Sequence, residues 1–278
     1  MGEHALSGSS ANKRIVARRR QELIAEHVQR HGSARVSDLT SALGVSDMTI
    51  RRDLDALNRE GLVMKVHGGA TLPADAPPTS AEPGFMAKST EQIDEKRAIA
   101  AAAAAMVGPN TAIGLTAGTT TFHLATYLDD VHDLMVVTNS VRIFERLLSG
   151  GRNDRTVLIT GGSRTPSDAL VGPLAVQALA SLHLDQVFMG VHGMSERAGY
   201  TTPNLLEAET NKAFIAATQR LVVVADHAKW NTVGLASIAP LTAADTVVTD
   251  AGFPSSARDA LNAHVRSVVL SAARTNQS

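Results

Sequence analysis

No cysteine occurs among the 278 residues. Its absence excludes a disulfide scaffold, a thiol nucleophile, an iron–sulfur cluster and a Cys-ligated zinc site. It also fits a reducing compartment, so a cytoplasmic location is expected. Aromatic residues are scarce, at 3%. The core must be built from Ala, Val, Leu and Ile, and a 44% hydrophobic share is enough to build one. Long apolar runs are missing: the longest, Ala98–Val107, is about half of what a membrane span needs. The stretch MGEHALSGSSANKR (1–14) is polar and charged where a signal peptide needs an apolar segment, so no membrane partner is expected. The ten His are scattered, with no HxxxH or HxH spacing beside acids. Neither a metal nor a cofactor is expected.

The chain's net charge of −1 divides unevenly. Residues 1–70 carry 11 Lys and Arg against 8 Asp and Glu, a net of +3; the remaining 15 against 19 give −4. A basic head on an acidic body points toward nucleic acid. Residues 1–13, rich in Gly, Ser and Ala, read as a disordered arm. Residues 14–70 hold helix signals and Gly stops. Residues 71–90 hold four of the ten prolines and read as an extended linker. From 91 to 278 the pattern changes. Apolar, β-rich runs at 111–115, 134–138, 156–160, 186–191, 221–225, 246–249 and 267–270 alternate with helical stretches such as 91–107, 121–128, 141–149, 174–181 and 206–218. Continuous apolar strands between helices predict an α/β fold with a mainly parallel sheet covered on both faces.

The segment 35–70 reads as two helices and a hairpin. Ser37 is placed to cap a short helix carrying Leu39 and Leu43. Gly44 supplies the turn. Ser46 is placed to cap a second helix, with Asp47 in its first turn. Ile50, Leu54 and Leu57 form its buried stripe, and Met48, Arg52, Asp55 and Arg59 project from the other side, flanked by Thr49 and Arg51. This is helix-turn-helix geometry, in which the start of the second helix enters the major groove. The planar forks of Arg51 and Arg52 suit guanine edges or phosphates. LVMKV (62–66) and the turn His67-Gly68-Gly69 read as a β-wing whose Lys65 reaches backbone phosphate. The helix 20–31 supports the pair through Leu23, Ile24 and Val28.

The run TIRRDL (49–54) followed by HGGA (67–70) resembles the head of the DeoR family of bacterial transcriptional regulators. The resemblance implies a winged helix-turn-helix with Ser46, Thr49, Arg51 and Arg52 at the DNA. It also implies repression of a sugar-catabolic operon. With Met48, Lys65 and His67 these make up the expected contacts to double-stranded operator DNA.

In the second unit, GLTAGTTT (114–121) follows a strand and opens a helix. Gly118, Thr119, Thr120 and Thr121 offer a free backbone and hydroxyls beside unpaired helix-start amides, an anion cradle. The spacing is that of neither the P-loop nor the dinucleotide fingerprint. Further polar groups sit at strand ends, where open parallel sheets bind ligands: Asn139, Ser140, Gly162, Asp226 and Lys229. Asp226 and Lys229 have two readings, one as partners of a sugar hydroxyl and a phosphate, the other as a turn cap and its counter-ion. The DeoR resemblance extends over 91–250 through DEKRAIA (94–100), AGTTT (117–121), VVTNS (136–140), GYTTPNLLEAE (199–209), ADHAK (225–229) and VVTD (247–250). It implies a fold similar to ribose-5-phosphate isomerase and a phosphorylated-sugar effector. Thr116 departs from the family pattern, in which many members carry an acid there.

Two function classes follow: a ligand-controlled repressor, working as a homodimer or homotetramer, or a sugar-phosphate isomerase with a DNA-binding appendage. Isomerisation needs a carboxylate within reach of a carbon-bound proton. The loop FMGVHGM (188–194) has none, with Glu207 a lone acid elsewhere and His192 a lone strand-end base, so binding without turnover is the expectation.

Overall fold

A computed structural model of the chain describes residues 17–31, 33–66, 68–71 and 84–271. The arm 1–13, most of the linker and His67 lie outside the described residues.

The head comprises α1 (Ala17–His31), β1 (Ser33–Arg35), α2 (Val36–Leu43), α3 (Asp47–Arg59), β2 (Met64–Val66) and β3 (Gly69–Thr71). Its core is a single cluster in which Ile24 and Val28 of α1 meet Leu39 of α2 and the stripe Ile50, Leu54 and Leu57 of α3. Ser46 caps α3 by accepting from Thr49 N at 3.3 Å. Ser37 does not cap α2. Arg35 holds that position without a side-chain bond, because β1 runs straight into the helix and Val36 N donates to Gly68 O at 2.9 Å. The wing is correspondingly larger than a hairpin: three antiparallel strands in the order β1-β3-β2. Gly69 is needed there because a Cβ would lie 2.2 Å from Ala34 O, across the ladder.

The second unit opens with a short helix α4 (Phe85–Ser89) inside the stretch read as linker, then α5 (Ile93–Ala104). Strands β4 (Ala112–Leu115), β5 (Leu134–Thr138), β6 (Arg155–Ile159), β9 (Gln186–Gly190), β12 (Leu221–Val224), β14 (Thr246–Asp250) and β15 (Ser267–Ser271) form one seven-stranded parallel sheet, ordered β15-β14-β12-β9-β4-β5-β6. Helices α6 (Thr119–Thr126), α7 (Val141–Ser149), α8 (Pro173–Leu179), α9 (Leu205–Ala216) and α10 (Ser255–His264) cover it. Side chains alternate between two cores, as period-2 geometry requires. Phe188, Val222 and Val224 face α5, α6 and α7, while Val187, Met189 and Val223 face α8, α9 and α10. Two antiparallel additions lie outside the runs read as strands: the pair β7 (Ser163–Arg164) and β8 (Leu170–Val171), and the sheet β10 (Gly193–Ser195), β11 (Gly199–Thr202) and β13 (Ala236–Ala239). Among the described residues, no helix is long and apolar enough to cross a membrane.

Candidate nucleic-acid interface and effector cleft

The outer face of α3 is polar and open. Met48 is 65% exposed, Arg51 and Arg52 are exposed, and Thr49 is half-buried at the first turn. Arg51 Nε lies 3.0 Å from Asp47 Oδ2 one turn earlier. Lys65 Nζ reaches back from the wing to Asp55 Oδ1 at 2.6 Å, which brings the wing alongside the same helix. The orientation of α3 is set from behind. Asp53, buried, receives Arg20 and Gln21 of α1, with Gln21 Nε2 3.0 Å from Oδ1.

In the sensor unit, a cleft of about 590 Å³ including its mouth opens at the carboxyl ends of β4, β9 and β12. Gly118, Thr119 and Thr120 line it at the start of α6. The first intrahelical bond of α6 runs from Phe122 N to Gly118 O, so the amides of Thr119 to Thr121 have no partner within the helix. Lys229, from the 3-10 turn His227–Lys229 after β12, lines the same cleft, as do Lys88 and Lys96.

Lys96 is the feature that sequence reasoning missed. It sits in the charged run DEKR, which enters the sequence reading only through the family resemblance, yet it is 2% exposed. Its Nζ donates to Lys88 O at 2.5 Å. Burial pushes its ammonium down to about 8; Asp226 opposes the shift and Lys229 adds to it. The cleft is also lined by His192 and Glu207, which the sequence offered only as a lone base and a lone acid, and by Thr202 and Asn211, which it did not single out. Glu207 Oε2 accepts from Thr202 Oγ1 at 2.7 Å.

Five expected ligand groups lie outside this lining. Thr121 is fully buried and donates to Gly118 O at 3.0 Å. Asn139 bridges two loops, accepting from Ala117 N at 2.8 Å and donating to Leu170 O at 3.1 Å. Ser140 caps α7 through Ile143 N. Gly162 (φ +118°) allows close approach to β8, since a Cβ would lie 2.4 Å from Val171 O. Asp226 caps the 3-10 turn through Ala228 N at 3.1 Å, while its Oδ2 is buried without a hydrogen-bond partner. Thr116 is also accounted for: buried, it accepts from Gly190 N at 3.1 Å and ties β4 to β9 beneath the cleft.

Residues 20–75 match a family described as the DeoR-like helix-turn-helix domain, and residues 91–251 match the DeoR C-terminal sensor domain. The HTH-type transcriptional regulator YgbI of Escherichia coli (strain K12) is 35% identical over 243 residues, covering 87% of this chain and 93% of its own. The HTH-type transcriptional repressor CsqR of the same strain is 30% identical over 225 residues, covering 80% and 82%. Among solved structures, ribose 5-phosphate isomerase A of Methanocaldococcus jannaschii is 15% identical, with a TM-score of 0.37 over 50% of this chain and 55% of its own.

Proposed function

Because the chain belongs to the DeoR family of DNA-binding transcriptional regulators, we propose that it is a repressor of a carbohydrate-catabolic operon that lets go of its operator when a phosphorylated sugar fills the sensor cleft. One observation carries the effector reading. The buried ammonium of Lys96 opens onto the same cleft as Lys229 and the uncapped start of α6. Buried cations need anions, and a helix start with free amides binds phosphate. The hydroxyl and amide groups of Thr202 and Asn211, with the carboxylate of Glu207, suit the polyol part of such a ligand.

At the DNA, Arg51 and Arg52 enter the major groove with Ser46, Met48 and Thr49, and Lys65 and His67 of the wing meet the backbone. One head offers too small a contact for tight specific binding, so two heads of a homodimer or homotetramer occupy paired half-sites. The ligand shifts the balance between two arrangements of the heads by its differential affinity, typically about 1–3 kcal/mol.

The reading without turnover rests on the cleft's acids. Glu207 is the one carboxylate among its described lining residues, and Thr202 already engages it. The test pairs a thermal-shift panel of sugar phosphates and their unphosphorylated parents with footprinting upstream of neighbouring genes. Stabilisation by phosphorylated members alone, and a protected stretch released by the same compounds, are expected. Equal shifts from the parent sugars would defeat the phosphate assignment. Turnover of ribose 5-phosphate that is lost in Glu207→Gln would move the protein to the enzymes.

A further inference from the structure

The head and the sensor unit are joined by a polar clasp. Arg35 Nη2 lies 2.8 Å from Glu95 Oε1 of α5 and 3.0 Å from His227 Nε2. A guanidinium only donates, so Nε2 is the acceptor. The imidazole then carries its hydrogen on Nδ1, which donates to Asp250 Oδ2 at 2.7 Å. Asp250 is further tied to the turn through His227 N at 2.7 Å. The position of Arg35 is therefore referred to the end of β14 and to the 3-10 turn His227–Lys229.

Each end of this clasp is rigidly connected to a functional surface. On the head side, Arg35 is the last residue of β1, paired with Gly69, and it directly precedes the helix-turn-helix. On the sensor side, the turn that holds His227 also presents Lys229 to the cleft and is capped by Asp226. A second, narrower cleft, about 410 Å³ including its mouth, lies along the same seam, between Ala34 and Asp38 of the head and Lys96, Asp226 and Lys229 of the sensor unit. Lys96 and Lys229 line both spaces. Whatever draws those ammonium groups into the cleft changes the charge felt at the seam.

We propose that Arg35 is the positioning residue through which the sensor unit sets the placement of the DNA-binding head, by clasping Glu95 and His227 together. The sequence gives no hint of it: Arg35 reads as one more basic residue near the DNA face. Its guanidinium is directed instead at the other domain, 60 residues away at Glu95 and 192 residues away at His227. Coupling between distant sites needs an element with discrete arrangements that both sites bias. In this proposal the shared donor is that element, with Arg35 held by both acceptors in one arrangement and by Glu95 alone in the other.

The inference rests on the head binding DNA, and a double-mutant cycle on the full chain keeps the two separable. The probe is the duplex that the wild-type protein enriches from a random-sequence pool. Affinity is measured for wild type, Arg35→Gln, Glu95→Gln and the double variant. Glu95→Gln, a sensor-side change, is expected to shift Kd about threefold or more when Arg35 is present and to have almost no effect once it is Gln. Additive effects, or no effect of Glu95→Gln at all, overturn the proposal. Amide exchange on the same proteins is a second readout. In Arg35→Gln, residues 33–36 and 227–230 should exchange faster together while 221–224 stay protected; unchanged exchange at 33–36 overturns the clasp as well. If wild type enriches no duplex, the DNA-binding reading fails, and the exchange experiment still decides the clasp.

Discussion

Arg20 and Asp53 meet behind α3, Nε 2.5 Å from Oδ2 and Nη2 3.2 Å from Oδ1, with both side chains almost wholly buried. The pair pins α3 to α1 on its buried side, away from the exposed Arg51 and Arg52. Removing one partner of such a pair leaves a buried charge, at a cost of about 3–5 kcal/mol. Asp53→Ala should therefore unfold the head at distinctly lower urea while the sensor unit's transition stays put. A midpoint shift within error would show that the pair is replaceable.

Arg51→Ala and Arg52→Ala leave buried residues untouched, so the fold should survive. Losing a base contact costs about 1–3 kcal/mol, which corresponds to about five- to 150-fold weaker binding in gel shifts. The slope of log affinity against log salt should become shallower only if the lost contact was to phosphate. Wild-type affinity in both variants would remove α3 from the groove.

Gly69→Ala places a methyl against Ala34 O. The β1–β3 ladder must open, and the wing with it. DNA binding should fall while ligand-induced thermal shifts of the sensor unit persist. An alanine variant that binds DNA normally would mean the wing takes no part.

Lys96 makes the cleft pH-dependent. Its ammonium titrates near 8 instead of at 10.5 because burial disfavours the charge. The unfolded chain therefore holds this proton more tightly between those values, and stability from this group rises with pH across that window. An anion in the cleft reverses the burial effect. Sugar-phosphate affinity should fall as pH rises through about 8, and calorimetry in buffers of different ionisation heat should record proton uptake near pH 8. Lys96→Met should bind more weakly and show neither effect.

His227 should respond in the opposite direction. Burial pulls its pKa down, but the hydrogen bond and charge of Asp250, joined by Asp226 and opposed by Arg35, raise it above the ordinary value. The protonated ring pairs better with Asp250, a stabilisation present at low pH and lost as pH rises past the raised pKa. A protonated Nε2 can no longer accept from Arg35, whose other partner, Glu95, then holds it alone. Acidification should lower the protection at 33–36, measured against the intrinsic exchange rate at each pH, without loosening β14. Unchanged protection there from pH 8 to pH 6 would contradict this.

The seven strands of the large sheet were legible because both faces of a covered parallel sheet are apolar, which leaves uninterrupted runs such as LVVV (221–224) and QVFMG (186–190). The cap at Ser46 and the stripe Ile50, Leu54, Leu57 were legible because helix signals are local. What sequence could not supply came from distant contacts. β1 has three residues and exists because β3 pairs with it. Asn139 and Ser140 stand at a strand end, and what the sequence could not show is that each also accepts a backbone amide, from Ala117 and Ile143. Lys96 is buried because α5 packs against α6, β12 and β14, contacts that nothing local in DEKR announces.

Trp230 is the chain's single tryptophan. It follows Lys229 directly and stands edge-on to Phe253, ring centres 5.5 Å apart. The protein thus carries a native fluorophore beside the turn that faces both the cleft and the clasp. Its emission offers a label-free optical record of occupancy, against which the behaviour of the head can be timed.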